Sequence, residues 1–318
     1  MINIGLVSAA TYGPSFRGVE VERTPGSFHG TAFASTFNGY DEAKSKQWQW
    51  TFAASQKRLD GCKVVKVWDP HIEWAERLAE VCSIDEVCAT PEQCCAGMDA
   101  VVIVDDGSGE HCKYAVYPLK QGIPTFCDKP LAMTAKRAAE IASLVRETGT
   151  PFMSTSSLRF VPDIIALREE VAVGALGDVH LVTTCCGNEL VYYGIHALSM
   201  YSGVFGGGAV SCMNVGQPDR NIVRVRFENG RDLVVIVAEG EYMRAGYNIN
   251  IYGKSDWRTL RPNLESLYYY LLEKFVEQVR TGEESVPVED EVEVIAILEA
   301  GKRSLLEQRE VGIAEVFA

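Results

Sequence analysis

Five short runs rich in β-branched and aromatic residues, Ile2–Val7, Lys63–Trp68, Ala100–Val104, Thr125–Cys127 and Phe152–Ser154, punctuate the first half of the chain. Between them, helical spacing predicts helices over roughly Thr31–Leu59, Ile72–Cys82, Gly109–Gln121 and Thr134–Thr148, the last stopping at Gly149 with Pro151 just beyond. Apolar runs of this length, alternating with helices, predict a doubly wound parallel sheet. The second half has a different pattern. Gly177–Thr184, Gly208–Val215, Asn221–Glu228 and Arg231–Glu239 follow one another as strands, and Asn229-Gly230 marks a hairpin tip between the last two. With no helix between them, these strands predict a largely antiparallel open sheet. Leu264, Leu267, Tyr268, Leu271, Leu272, Phe275, Val276 and Val279 then draw one apolar stripe along a helix, and a last helix covers about Asp290–Gln308. The expected fold class is α/β, with a doubly wound domain over residues 1–156 and an α+β domain over residues 157–318.

Composition narrows the function. At 318 residues with 47% hydrophobic and 23% charged positions, the chain has the make-up of a folded globular protein. A net charge of −13 repels phosphate backbones and anionic headgroups, which argues against nucleic-acid and membrane partners. No run of about 18 apolar residues predicts a membrane helix. With no leader pattern at the N-terminus, a cytoplasmic location is expected. The ten cysteines contain no C-x-x-C, and the doublets Cys94-Cys95 and Cys185-Cys186 point in different directions. Reduced thiols, and no metal site, are expected.

The chemistry lies at the ends of the first-half strands. After the first, a dinucleotide turn asks for glycine in three slots, for the tight turn, for approach of pyrophosphate and for helix packing. Here the slots hold Ser8, Ala10 and Gly13, and Pro14 follows. An ordinary strand-to-loop turn fits these residues equally well. Ser15–Ser27 reads as a loop insertion that delays the helix, with Ser27 as its cap. Asp69, ending the second strand, can accept hydrogen bonds from the adenosine ribose and repel a 2′-phosphate, or can cap the turn before Pro70. Lys129 ends a parallel strand ahead of Pro130, where its ammonium can reach a ligand's oxygen.

Cys127-Asp128-Lys129-Pro130-Leu131 resembles the E-K-P signature of the Gfo/Idh/MocA oxidoreductases. Ser156-Ser157-Leu158-Arg159-Phe160-Val161-Pro162 is similar to the family's R-F-x-P segment, Gly194-Ile195-His196 to its G-x-H motif, and Pro287-Val288-Glu289-Asp290 to its C-terminal ending. The resemblance implies an N-terminal Rossmann domain and a C-terminal domain whose open sheet carries substrate contacts on one side and often subunit contacts on the other. It gives Lys129 and His196 the catalytic positions. Histidine can take a proton from a sugar hydroxyl as hydride leaves the same carbon. Tyr192 stands where many members have an aspartate, four residues before the histidine, and joins Lys129 and His196 as a candidate; Ser199 stands where an acid is common.

Ser8, Ala10, Gly13, Asp69, Asp105 and Lys129 are the expected cofactor contacts, and Arg159 and Tyr193 the expected substrate contacts. The residues leave Arg159 open to a second use, tying the two domains together. His111, beyond the acidic loop that starts at Asp105, lies near the family's nicotinamide position. The implied activity is hydride transfer between NAD, less favourably NADP, and a secondary alcohol of a sugar, sugar derivative or polyol. Two alternatives stay open: a cofactor-recycling lyase or epimerase of the same fold, and a non-catalytic dinucleotide- or sugar-binding regulator. A homo-oligomer, dimer or tetramer, is expected because an open sheet face needs cover.

Overall fold

The computed structural model describes residues 1–8, 28–47, 57–104, 109–243 and 246–318. These divide into two compact units. The first comprises Met1–Met133, Glu140–Thr155 and Glu265–Val288, the second Thr134–Ala139, Ser156–Leu264 and Glu289–Ala318. In chain order the first elements are β1 (Ile2–Val7), α1 (Phe28–Asn38), α2 (Glu42–Gln47), β2 (Cys62–Trp68), α3 (Ile72–Cys82), β3 (Glu86–Val87), α4 (Pro91–Cys95), β4 (Ala100–Ile103), α5 (Val116–Lys120), β5 (Thr125–Cys127), α6 (Ala135–Thr148) and β6 (Phe152–Met153).

The six strands pair in the order β3-β2-β1-β4-β5-β6, every neighbour parallel. This is the doubly wound order, and the direction of winding reverses between β1 and β4, which opens a crevice at the carboxyl ends of the strands. All four β4 residues are buried, as expected of a strand covered on both faces. Gly5 serves packing rather than the turn: a Cβ there would stand 2.3 Å from the Cys94 carbonyl oxygen of α4.

Two expected helices are corrected. The pattern from Thr31 to Leu59 is broken after α1 by Gly39 at φ +76°, and α2 follows as a separate six-residue helix. The segment after Gly109 starts as a 3₁₀ turn, His111–Ala115, and becomes α-helical only at Val116. The expected insertion Ser15–Ser27 and its cap Ser27 lie outside the described residues.

The chain continues with α7 (Pro162–Ala172), β7 (Val179–Gly187), α8 (Leu190–Phe205), β8 (Ala209–Asn214), β9 (Arg220–Phe227), β10 (Asp232–Ala238), β11 (Asn248–Gly253), β12 (Trp257–Leu260), α9 (Leu267–Thr281), α10 (Val288–Glu307) and β13 (Val311–Gly312). The second sheet runs β12-β11-β7-β10-β9-β8-β13. Its pairs are antiparallel except β7 with β10. The expected uninterrupted succession of strands is corrected here, because α8 stands between β7 and β8. Thirteen of its sixteen residues are buried, so it shows no polar face by which a 3.6-residue period could be read. The β9–β10 hairpin forms as expected, with Gly230 at φ +80°.

Along β9, burial alternates: Asn221, Val223, Val225 and Phe227 face in, while Arg220, Ile222, Arg224 and Arg226 face out. Within the second unit α8 and α10 cover the inner face. Gly194 permits this, since a Cβ there would lie 3.2 Å from Leu298 of α10 and 3.4 Å from Val237 of β10. Helix α9 belongs to the first unit. Its Phe275 lies 5.7 Å from Phe126, and Gln278 Nε2 donates to the Phe152 carbonyl at 2.9 Å. All ten cysteines are unbridged, and burial pushes the Cys82, Cys95, Cys186 and Cys212 thiols up to about 12. No helix among the described residues is long and apolar enough to cross a membrane.

Candidate active site

Within the first unit, the end of β5 is built around Asp128. Its backbone N–H donates to Ile103 O of β4 at 2.8 Å, and its carbonyl accepts from His111 Nε2 at 2.7 Å. Its carboxylate accepts the Lys129 backbone N–H at 2.8 Å and pairs with His29 Nδ1, from the first turn of α1. His29 is in turn packed between Phe33, at 5.3 Å, and Tyr268 of α9, at 5.2 Å. Asp128 is 1% exposed. Burial pushes its carboxyl up, but the charge and hydrogen bond of His29, then Lys129 and His111, outweigh that and hold it below the ordinary carboxylate value. The main chain beside Lys129 is therefore fixed on every side, while no hydrogen bond among the described residues holds its ammonium. The Lys129–Pro130 bond is cis.

At the ends of β1 and β2 the structure brings Ser8 and Asp69 together. Ser8 takes φ +66°, the left-handed conformation for which the first slot of a dinucleotide turn normally uses glycine. Its hydroxyl donates to Asp69 Oδ2 at 3.3 Å, and Asp69 Oδ1 accepts the His71 N–H at 2.8 Å. The capping alternative for Asp69 is thus real, and its carboxylate is buried at the end of β2. Ala10, Gly13 and Asp105 lie outside the described residues. His111 is fully buried and acts through the main chain of Asp128.

Within the second unit, His196 lies inside α8. Glu189 caps α8 by accepting the Val191 and Tyr192 N–H groups at 2.8 and 3.0 Å. His196 Nδ1 lies 2.6 Å from Ser156 Oγ. Tyr193 and Tyr247 meet its ring edge-on at 5.7 and 5.4 Å. Tyr192, one turn before His196, is 7% exposed, and Tyr193 is half-buried. Ser199 is turned away and donates to the Ile195 carbonyl of its own helix at 2.7 Å. Arg159 is engaged inside the same unit: Nη2 donates to Asp290 Oδ2 at 2.5 Å, in the first turn of α10, and Nη1 to Ser202 Oγ at 3.3 Å.

A cavity of about 650 Å³ between the β8–β9 turn and the end of α10 is lined by Asn214, Gln217 and Lys302 and by none of these candidates. Sequence reasoning missed His29, Ser156 and Tyr247, and named Asp128 only as part of a motif. Ser156 carried a signal, its place at the head of the segment that contains Arg159. His29 and Tyr247 carried none, because their roles depend on contacts far away in sequence.

Residues 38–156 match the model of an oxidoreductase family with an NAD-binding Rossmann fold, Gfo/Idh/MocA. That stretch contains Asp69, Lys129 and Ser156 and excludes Ser8 and His196. The chain is 27% identical over 172 residues to D-glucoside 3-dehydrogenase of Escherichia coli K12, covering 48% of this chain and 49% of that one. It is 25% identical over 202 residues to a myo-inositol dehydrogenase of Streptomyces leeuwenhoekii, covering 55% and 61%. The chain thus spans about half of the first relative's length and about three fifths of the second's. In fold it is similar to myo-inositol dehydrogenase of Lactobacillus casei, solved with NAD(H) and myo-inositol, at a TM-score of 0.78 and 16% identity over 98% of this chain and 96% of that one.

Proposed function

We infer that this chain belongs to the Gfo/Idh/MocA oxidoreductase family and is an NAD-dependent dehydrogenase acting on a secondary alcohol of a sugar, sugar derivative or polyol. The observation that carries the reading is Lys129, set by the Asp128 network at the end of β5 in a sheet of doubly wound order, inside the stretch that matches the family. The relatives named above, a glucoside and an inositol dehydrogenase, support the substrate class.

Ser8 and Asp69 fit a dinucleotide. Ser8 already holds the left-handed turn, and a carboxylate at the end of β2 suits ribose hydroxyls and repels a 2′-phosphate, which favours NAD over NADP. Bound nicotinamide supplies or accepts the hydride at its C4. In the first unit Lys129 is the proposed catalytic lysine; in the second His196 is the proposed catalytic histidine, with Tyr192 and Tyr193 beside it on α8. Calorimetric titration with NAD and NADP, followed by turnover on a panel of polyols and glucosides, tests the assignment. Lys129→Ala lowers turnover by about 10²-fold or more and leaves NAD affinity within a few-fold; unchanged turnover rejects it.

The functional unit is proposed to be a homo-oligomer that covers the outer face of the second sheet. Trp257, Tyr252 and Leu181 form a row there across β12, β11 and β7, exposed by 61, 43 and 41%. Light scattering that returns the mass of one chain rejects this. The unbridged cysteines favour a reducing, cytoplasmic setting.

A further inference from the structure

We propose that Ser156 is the positioning residue of His196, and that its hydroxyl donates to Nδ1 so that the imidazole carries its own proton on Nε2. Ser156 is fully buried, so its O–H must find an acceptor inside the protein. Among the described residues Oγ has two polar neighbours. One is the Leu158 backbone N–H, at 3.2 Å, which is a donor and takes a lone pair. The other is Nδ1 of His196, at 2.6 Å. The hydroxyl proton therefore points at Nδ1, and a neutral imidazole that accepts there has its N–H at Nε2.

The chemical consequence separates this chain from one with an acid at the same place. A carboxylate accepts from Nδ1–H and leaves the Nε2 lone pair ready to receive a proton. A serine hydroxyl whose other lone pair is taken by Leu158 does the opposite. It makes His196 a hydrogen-bond donor to an oxygen. Tyr193 and Tyr247, edge-on to the ring at 5.7 and 5.4 Å, limit its rotation, so the hydroxyl and the two aromatics fix one ring orientation. On the dehydrogenase reading, His196 then holds the oxygen of a carbonyl substrate through Nε2–H.

The test is made on the full-length protein with ¹⁵N-labelled histidine, by long-range ¹H–¹⁵N correlation at a pH well above the ordinary imidazole value of about 6.5. There are five histidines, and His196→Gln assigns the signal. The expected spectrum shows Nε2 protonated and Nδ1 bare. Ser156→Ala gives a mixture of tautomers, Ser156→Thr restores the single form, and unchanged signals from the other four histidines certify the fold. Nδ1–H in the wild type, or an unchanged tautomer in Ser156→Ala, overturns the proposal. The wild-type spectrum decides even where the alanine variant does not fold. Turnover supplies a second readout: Ser156→Ala lowers kcat about tenfold, the worth of one hydrogen bond, with the KM for NAD unchanged. An unchanged kcat also overturns it. Absence of turnover in the wild type on every polyol rejects the dehydrogenase reading and leaves the tautomer result to stand by itself.

Discussion

Lys129 and His196, one in each unit, are held in opposite ways. Lys129 is fixed through its main chain by the buried Asp128, whose carboxylate meets the first turn of α1 and whose backbone N–H and carbonyl meet the end of β4 and the 3₁₀ turn at His111. His196 is fixed through its ring, by one neutral hydroxyl and two tyrosine edges. Such an anchor gives a rigid position at the expense of three elements depending on one buried residue, of which α1 depends on its carboxylate. A hydroxyl gives less stability and more direction, because its single proton decides which ring nitrogen donates. The first unit therefore secures a location and the second a protonation pattern.

The sharpest way to break this contrast is to remove the side chain that pairs with the Asp128 carboxylate. His29→Ala leaves the Asp128 carboxylate buried without its main partner and costs about 3–5 kcal/mol of stability in urea denaturation. A loss under about 1 kcal/mol would put the two anchors in one class. The pH dependence gives the sign independently. Asp128 is held below the ordinary carboxylate value, so the unfolded chain takes up its proton first as pH falls. The stability it contributes is complete above pH about 4 and is lost as pH drops through its folded value. In an unfolding series, Asp128→Asn is less stable than the wild type at neutral pH, and the two curves converge in acid. Parallel curves would show that the carboxylate is not the titrating anchor.

A smaller effect is expected at the helix that carries His196. Gly194→Ala brings a methyl group to 3.2 Å from both Leu190 and Leu298, and overpacking of this kind costs about 1–3 kcal/mol. The same shift moves the His196 ring against Ser156, so the tautomer signal broadens or splits. Lost stability with an unaltered signal would mean that the hydroxyl, and not the seat of α8 on α10, sets the ring.

The parts legible in sequence were those with a period or a punctuation mark. The parallel strands, the Asn229-Gly230 hairpin and the stripe of α9 all announced themselves, and so did Lys129 beside Pro130. Helix α8 did not, because a helix buried nearly all round has no polar face to read. Residues such as His29 and Ser156 were silent for another reason. His29 meets Asp128 across 99 positions and Ser156 meets His196 across 40, and such pairings are fixed only when the sheets assemble. Arg159 was legible as a functional arginine, yet its guanidinium is occupied by Asp290 and Ser202. Spacing identifies a residue type, and only packing says which neighbour consumes it.

The first unit contains its own serine anchor, and it gives the finest test. Ser8 occupies a left-handed position that costs a non-glycine residue about 1–2 kcal/mol, and its hydroxyl reaches Asp69 at 3.3 Å, a bond at the weak end of about 0.5–1.5 kcal/mol. Ser8→Gly removes both terms and adds back some unfolded-state entropy, about 0.5–1 kcal/mol, so its stability stays within about 1 kcal/mol of the wild type. Ser8→Ala keeps the backbone cost and loses the hydrogen bond, so it is the less stable of the two variants. Urea midpoints decide the order, and an alanine variant at least as stable as the glycine variant would mean that the left-handed φ carries no cost there. The gap between wild type and Ser8→Ala also measures what a serine hydroxyl contributes when its acceptor is a carboxylate. At Ser156 the acceptor is a neutral imidazole instead. The second anchor therefore acts on His196 mainly through the direction of its proton.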